Sequence, residues 1–268
     1  MRKAIIFSLL VFLPFTVSAQ CTYKNVALGN GEILTYNLYF NWKMVWFKAG
    51  TTSMSTVSSV YKGKKAWRTS LTIRGSETAD KYFFARDTII SYVTDDLVPL
   101  YYRKASVEKK RHTFEEVFYS YTGGKCHTKQ HRKGSKGNHH WEEHTWSDCV
   151  YDMLSIFMRA RSFDPSGWTK GKIINFPIVD GNSRDAARLS YCGKKVIKAD
   201  NGKRYNCLEL SYYASEKGSK MKEIARFYVT DDLNHVPIRL DLFLSVGSGK
   251  AFLTSMRGTR NPVTAEIK

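Results

Sequence analysis

Two pairs of adjacent aspartates have a spacing that could support acid–base chemistry. Asp95 and Asp96 follow Tyr-Val-Thr, and Asp231 and Asp232 follow the same three residues. Paired carboxylates can serve as general acid and base, or hold a cation, when a pocket separates their pKa values. Adjacent aspartates between strands also form turns, because their short side chains accept hydrogen bonds from nearby backbone amides. The turn is the simpler interpretation, so we predict two turns here and no active site.

A group of histidines beside Cys126 could bind a metal ion, since imidazole and thiolate are common ligands of transition metals. Its members are His127, His131, His139, His140 and His144. His127 and His131 are the candidate metal pair. They would share a face if this stretch were helical, but the glycines and lysines around them disfavour a helix. No HExxH or CxxC spacing occurs. We therefore expect no resident metal or other cofactor.

The same stretch is basic and could instead contact an anion. We predict that residues 125–136 form an exposed hairpin loop, with Arg132, Lys133 and Lys136 as its candidate anion-binding residues. The net charge of +18 favours anionic partners such as lipid phosphates or acidic glycans. The alternative is that dispersed lysines merely keep a β-rich protein soluble.

Nucleophilic and nucleotide-binding motifs are missing from the sequence. There is no GxSxG elbow, no P-loop and no GxGxxG fingerprint. Six tryptophans and sixteen tyrosines could pack a sheet or line a ligand site. We therefore predict a protein that is not an enzyme.

Alternating apolar residues predict that strands position these side chains. Leu34–Trp46 reads as one long half-buried strand, and Val236–Val246 reads as a second. Shorter alternating segments joined by turns fill most of the remaining chain, as in an antiparallel sheet. The exception is 148–161, where apolar residues recur at helical spacing and Ser147 or Asp148 could cap the start. The candidate ligand-lining residues on these elements are Tyr36, Leu38, Phe40, Trp42, Phe157, Met158, Leu240 and Leu242.

The termini and cysteines indicate export. Residues 1–19 have the basic start, short apolar run and small-residue cleavage site of a signal peptide. The mature chain, 20–268, would be a single β-rich domain. The repeated Tyr-Val-Thr-Asp-Asp-Leu leaves open the alternative that this domain consists of two related halves. Lipidation of Cys21 is a less favoured alternative to plain cleavage. A disulfide between Cys126 and Cys149 is expected, whereas Cys192 and Cys207 should lie too far apart to bridge.

Several segments in order resemble an exported bacterial family of unknown function, numbered 3108, of a type found in Bacteroides. They are Gly31–Tyr36, Tyr151–Ser155 with Arg159, and Tyr228–Asp232 with Val236–Arg239. The resemblance implies a YmcC-like or lipoprotein-carrier-like fold, in which a large twisted antiparallel sheet curls into a half-barrel around one helix. Binding of acyl chains on the concave face would follow by analogy. The histidine-rich stretch and the cysteines depart from the family's pattern.

Together these features predict a mainly β protein whose half-barrel holds one central helix, about 148–161, on its concave face. Its expected role is that of an exported, non-catalytic envelope protein, periplasmic or associated with the outer membrane. It would bind an apolar or amphipathic ligand, such as a lipid or a lipoprotein acyl chain. The alternative is an interaction protein that binds acidic glycan through the basic loop. No nucleic-acid partner and no transmembrane helix in the mature form are expected.

Overall fold

The structure is a computed structural model that describes residues 21–42, 45–80, 86–108, 111–179, 184–215, 220–244 and 247–268. The predicted signal peptide, residues 1–19, lies outside the described residues, as does Gln20. Within the described ranges, no helix combines the length and apolar character needed to span a bilayer.

Strands dominate the described chain. They are β1 (Glu32–Trp42), β2 (Val45–Tyr61), β3 (Lys64–Gly75), β4 (Arg86–Val93), β5 (Pro99–Glu108), β6 (Arg111–Thr122), β7 (Lys125–Lys133), β8 (His139–Trp146), β9 (Ile173–Val179), β10 (Arg184–Lys198), β11 (Arg204–Ala214), β12 (Lys222–Thr230), β13 (Pro237–Phe243), β14 (Ser248–Arg257) and β15 (Glu266–Ile267). Two helices interrupt them, α1 (Glu77–Asp80) and α2 (Met153–Ala160).

All of these strands belong to one antiparallel sheet. Its order is β8-β7-β6-β5-β4-β3-β2-β1-β14-β13-β12-β11-β10-β9, and β15 pairs with β11. Two meanders, β1–β8 and β9–β14, therefore meet in the middle of the sheet, where β1 pairs with β14. The predicted fold class, a large antiparallel sheet curled as a half-barrel around one helix, is confirmed.

Alternation explains the strands and also one error in predicting them. β1 buries Leu34 and Tyr36, because side chains two residues apart point to the same face. The predicted strand 34–46 is nevertheless two strands, since β1 ends at Trp42 and Trp42 pairs with Val45 of β2. Apolar residues continue at a period of two on both sides of this reversal, which conceals the hairpin. The second predicted strand, 236–246, corresponds to β13.

The central helix is shorter than the predicted 148–161. Asp152 caps α2, because its Oδ1 accepts hydrogen bonds from the backbone N–H groups of Leu154 and Ser155 at 3.0 and 2.8 Å. Just before this cap the chain is extended, and Tyr151 forms a bridge with Ile178 of β9. The prediction was wrong here because Val150 fits the helical period but lies before the helix, next to Tyr151, which pairs with β9. The short helix α1 was not predicted.

A buried ion pair joins the C-terminal end of α2 to β1. The Nη1 and Nη2 atoms of Arg161 donate to Oε2 and Oε1 of Glu32 at 2.6 and 2.8 Å. The two side chains are only 2% and 1% exposed. Arg161 Nε also donates to the carbonyl of Asn234 at 3.0 Å. This two-pronged geometry compensates for the high cost of burying both charges.

The repeated Tyr-Val-Thr-Asp-Asp-Leu forms the same strand–turn–strand unit twice, in β4–β5 and in β12–β13. The backbone N–H of its threonine, Thr94 or Thr230, donates to the carbonyl of Val98 or Val236 at 2.9 Å in both copies. The threonine Oγ1 accepts from the N–H of the same valine, at 3.1 and 2.8 Å. The same pair of hydrogen bonds therefore closes the turn in both halves of the sheet, although the loop of the second copy is two residues longer.

Candidate functional site

A cavity in the described part of the chain lies between α2, β9 and the N-terminal segment. Its volume is about 360 Å³, within the range of small-molecule sites. Aromatic rings form much of its wall, with one arginine among them. These residues are Tyr23, Tyr151, Phe163, Trp168, Phe176 and Arg159.

A disulfide between Cys21 and Cys149 holds one wall of this cavity in place, with 5.4 Å between the Cα atoms. It ties the N-terminal segment, which carries Tyr23, to the stretch that leads into α2. The predicted bridge between Cys126 and Cys149 is wrong, and Cys126 is a buried free thiol. Its side chain lies in the packed core beside Val150 and Leu154.

The guanidinium of Arg159 is fixed at the cavity by three contacts. Its Nη1 donates to the backbone carbonyl of Cys21 at 2.9 Å. Its Cζ lies 4.5 Å from the ring centre of Tyr23 and 5.3 Å from that of Tyr151. Such cation–π contacts orient the planar group while leaving its charge in place. Arg159 is therefore a preorganised cation in a largely aromatic cavity.

Another part of the wall is a small aromatic cluster with two polar groups. The ring of Trp168 lies 6.3 Å from Phe163 and 5.7 Å from Tyr191. Asp164 and Asn175 are the polar lining residues on this side. Hydrogen bonding from Ser166 to the Asp164 carboxylate holds the pKa of Asp164 below its usual range. The cavity thus combines apolar walls with both signs of charge.

Asp152, the cap of α2, is a buried titratable group close to this site. Burial raises the pKa of Asp152 to about 6, although hydrogen bonds from Ser155, Ser91 and the backbone favour its ionised form. Ser91 Oγ donates to Oδ2 at 3.2 Å, and the Tyr119 hydroxyl donates to the same oxygen at 3.4 Å. Perturbed carboxylates often mark functional sites. Here both oxygens are used by the cap and by the sheet, so Asp152 has a structural role.

The predicted ligand-lining residues lie mostly in packed core. Tyr36 is buried, and half-buried Leu38, Phe157 and Leu240 pack against its cluster. Met158 belongs to a different cluster, with Leu154 and Val93. Phe40 contacts Phe47 with ring centres 5.9 Å apart, and Leu242 is half-buried on β13. The Trp42 side chain lies outside the described part. None of the described residues of this set lines the cavity at Arg159, and their role towards a ligand stays a prediction.

The predicted basic loop is largely a strand, β7, and only 134–138 turns towards β8. The composition suggested a loop, but Thr128, Gln130 and His131 of β7 are buried, which fixes the strand in the sheet. Arg132 and Lys133 are neighbours in β7 and so point to opposite faces. Arg132 lies 3.7 Å from Glu115, and Lys136 is in the turn. The three candidate anion-binding residues do not share a face, and anion binding stays a prediction.

The candidate metal pair is also separated. Both histidines lie on one face of β7, roughly 13 Å apart. His127 Nδ1 is 2.9 Å from Thr145 Oγ1. His131 is held between Glu116, 3.0 Å from its Nδ1, and His139, 2.9 Å from its Nε2. Among the described residues, no group of three or more His, Cys, Asp or Glu side chains could hold a metal ion.

The aspartate pairs lie in turns, as predicted. Asp232 Oδ1 accepts hydrogen bonds from Thr230 Oγ1 and from the N–H of Asn234, at 2.8 and 3.0 Å. Asp95 and Asp96 are exposed between β4 and β5.

Sequence reasoning missed most of the cavity. Trp168 was noted only as one of many aromatic residues, and Tyr23 was not singled out. A usable signal existed, however. Tyr151 and Arg159 both belong to the central motif on which the family resemblance rests, and both line the cavity.

A large open antiparallel sheet with the helix α2 packed against it defines the structural class of this protein. Within that class, the model of one family, described as "Protein of unknown function (DUF3108)", matches residues 35–254. The chain therefore belongs to the DUF3108 family, as its motifs predicted. No curated protein matches the chain.

Solved structures resemble this fold at low sequence identity. A β-barrel-like protein of the family of unknown function DUF1849, from Brucella abortus, has a TM-score of 0.57 at 12% identity, over 87% of this chain and 98% of its own. This likeness establishes the fold alone. A protein described as exported, with a YmcC-like fold, from Bacteroides fragilis has a TM-score of 0.37 at 7% identity, over 88% and 100%. A protein described as a lipoprotein from Parabacteroides distasonis has a TM-score of 0.35 at 10% identity, over 88% and 99%.

Proposed function

We propose that this chain is an exported, non-catalytic binding protein that holds an apolar or amphipathic ligand in the aromatic cavity beside α2. The observation that carries the proposal is the preformed cavity of about 360 Å³ with Arg159 fixed in its wall. Its ligand would lie against α2 and β9, and not along the predicted apolar strands.

The chemistry of the walls favours an apolar body with an anionic end. Tyr23, Phe163, Trp168 and Phe176 offer ring faces and edges that would bury alkyl or acyl groups, at roughly 25 cal/mol per Å² of apolar surface. Arg159 would pair with a carboxylate or phosphate, which its planar fork of donors suits. A lipid or a lipoprotein acyl chain has both parts.

Export is supported by the signal-like first nineteen residues and by the disulfide, because such bonds persist in oxidising compartments. The disulfide also bears on the lipidation alternative. An acyl anchor on Cys21 would need the same sulfur atom that bonds to Cys149, so one excludes the other. The bridged form fits a protein that is released after cleavage.

Filling the cavity tests the proposal. Asn175 is an exposed lining residue, so Asn175→Trp should occupy the space without removing core. Parinaric acid, an anionic fatty acid that fluoresces in apolar surroundings, is the probe. We expect Asn175→Trp to weaken its binding at least about tenfold, since the lost burial exceeds about 1.4 kcal/mol. Mass spectrometry of an organic extract of the purified protein would identify any natural ligand.

Asn206→Trp is the matched control, because Asn206 is also an exposed strand asparagine but lies outside the cavity wall. It should bind the probe like wild type. The proposal is wrong if wild type does not bind the probe, or if Asn175→Trp and Asn206→Trp bind it equally well.

A further inference from the structure

Two neighbouring hairpins carry large apolar side chains that nothing in the described structure covers. Val45 and Trp46 begin β2, Phe243 ends β13 and Leu244 follows it; all four are exposed. Asn41 of β1 pairs with Trp46 on one side and with Ser248 on the other, and Ser248 pairs with Phe243. Trp46 and Phe243 therefore lie in one cross-strand row at the same rim of the sheet.

The apolar surface at this rim is not confined to one face. Val45 and Trp46 are adjacent in β2 and point to opposite sides of the sheet. Next in from the rim, Phe40 contacts Phe47, and Leu242 is only half-buried. A rigid protein partner would cover one face of such a tip. A fluid lipid layer surrounds both, which favours a membrane as the occupant.

Lysines flank these side chains. The Nζ atom of Lys250 lies 4.3 Å from the ring centre of Trp46, and Lys48 is exposed two residues further along β2. Two acids at this corner, Glu223 and Asp241, are paired with Arg226 and Arg239, and a third, Asp200, accepts hydrogen bonds from the Tyr39 hydroxyl. Exposed Glu77 of α1 also lies near Lys48, because the hydroxyl of the preceding Ser76 donates to the Lys48 carbonyl at 3.0 Å. Tryptophan beside lysine is typical of side chains at the level of lipid head groups, where the amine reaches the phosphates.

We propose that this rim docks the protein on an anionic membrane surface, with Val45, Trp46, Phe243 and Leu244 inserted and Lys48 and Lys250 against the phosphates. The net charge of +18, two units of which come from Arg2 and Lys3 of the predicted signal peptide, attracts the protein to such a surface, and apolar insertion then holds it. This inference does not depend on the cavity beside α2. The protein could dock on a membrane without binding a ligand in the cavity, and it could bind such a ligand without docking.

Strand β2 provides a matched pair of variants, because Val45 and Val60 are 64% and 63% exposed near its two ends. They lie roughly 50 Å apart along the strand. The assay is co-flotation with vesicles of pure phosphatidylcholine, or of equal parts phosphatidylcholine and phosphatidylglycerol. Wild type should bind the mixed vesicles, with a blue shift of tryptophan emission. Val45→Ser combined with Leu244→Ser should weaken binding about tenfold or more, and Val60→Ser should leave it unchanged.

The lysines have a matched control as well. Lys48→Gln should weaken binding to the mixed vesicles about fivefold, and Lys65→Gln at the far end of the β2–β3 hairpin should have a smaller effect. Unchanged melting temperatures will show that these exposed substitutions leave the fold intact. The proposal is overturned if wild type does not float, or if Val60→Ser weakens binding as much as the combined Val45→Ser and Leu244→Ser substitutions. It is also overturned if the rim variants change only self-association in gel filtration, which would make a second copy the occupant.

Discussion

Glu32→Gln should destabilise the protein by about 3–5 kcal/mol, because it leaves the Arg161 charge buried without its counter-ion. The wild-type carboxylate accepts from both Nη1 and Nη2 of Arg161, at 2.6 and 2.8 Å. A glutamine amide offers one acceptor oxygen, and its NH₂ group faces a donor. Arg161 then keeps one good acceptor in the carboxamide and one in the carbonyl of Asn234.

Burial, and not distance, determines this magnitude. Lys203 and Glu266 form an ion pair of 2.8 Å, but both side chains are partly open to water. Glu266→Gln should therefore cost less than about 1 kcal/mol. Glu32→Gln combined with Arg161→Met removes both buried charges and should recover much of the lost stability.

Urea unfolding followed by circular dichroism and tryptophan fluorescence gives the free energies, provided that the two probes give the same transition. The reasoning fails if Glu32→Gln stays within about 1 kcal/mol of wild type. It also fails if the double variant is no more stable than Glu32→Gln alone, since the unpaired charge would then not be the cause.

Two further predictions concern the surroundings of the cavity. Cys149→Ser opens a loop that spans 128 residues of sequence, so the unfolding free energy should fall by about 2–5 kcal/mol. Cys192→Ser, which removes a free thiol, is the control. Equal losses in the two variants would contradict the disulfide between Cys21 and Cys149. Burial raises the pKa of Asp152 to about 6, so the folded state binds this proton more tightly than the unfolded chain. The resulting stability is present below about pH 4 and is lost as the pH rises through about 6. Asp152→Asn keeps a capping oxygen but does not titrate. Between about pH 4 and pH 7 its unfolding free energy should therefore fall by up to about 3 kcal/mol less than that of wild type. An identical fall in the two proteins would refute this prediction.

Period-two alternation was sufficient to predict the sheet, because most strands bury one face. It could not locate the reversal between Trp42 and Val45, since both strands of that hairpin continue the same alternation. Spacing predicted correctly that Cys192 and Cys207 do not bridge, because Cys207 faces Lys195 in the β10–β11 hairpin. Helical spacing identified α2 but overestimated its length, because pairing of Tyr151 with β9 outweighs the local pattern.

The cavity could not be predicted from local patterns. Most of its wall lies between Tyr151 and Phe176, but this stretch runs through helix, loop and strand, and Tyr23 is brought in from the distant N-terminal segment. The bridge from Cys21 to Cys149 is equally non-local, and neighbouring cysteines are a poor guide to it. Only the family motif that contains Tyr151 and Arg159 pointed to this part of the molecule.

The pairing of β1 with β14 has a consequence for how the chain folds. Ile33 lies opposite Arg257, so the middle of the sheet cannot close until the chain has been synthesised as far as β14. Contacts this distant in sequence form slowly. The meander from β1 to β8 can assemble first, and β1 is then an open edge that can pair with any other strand. We therefore expect the emerging chain to be most prone to aggregation before β14 arrives, at the step when a holding chaperone would matter most.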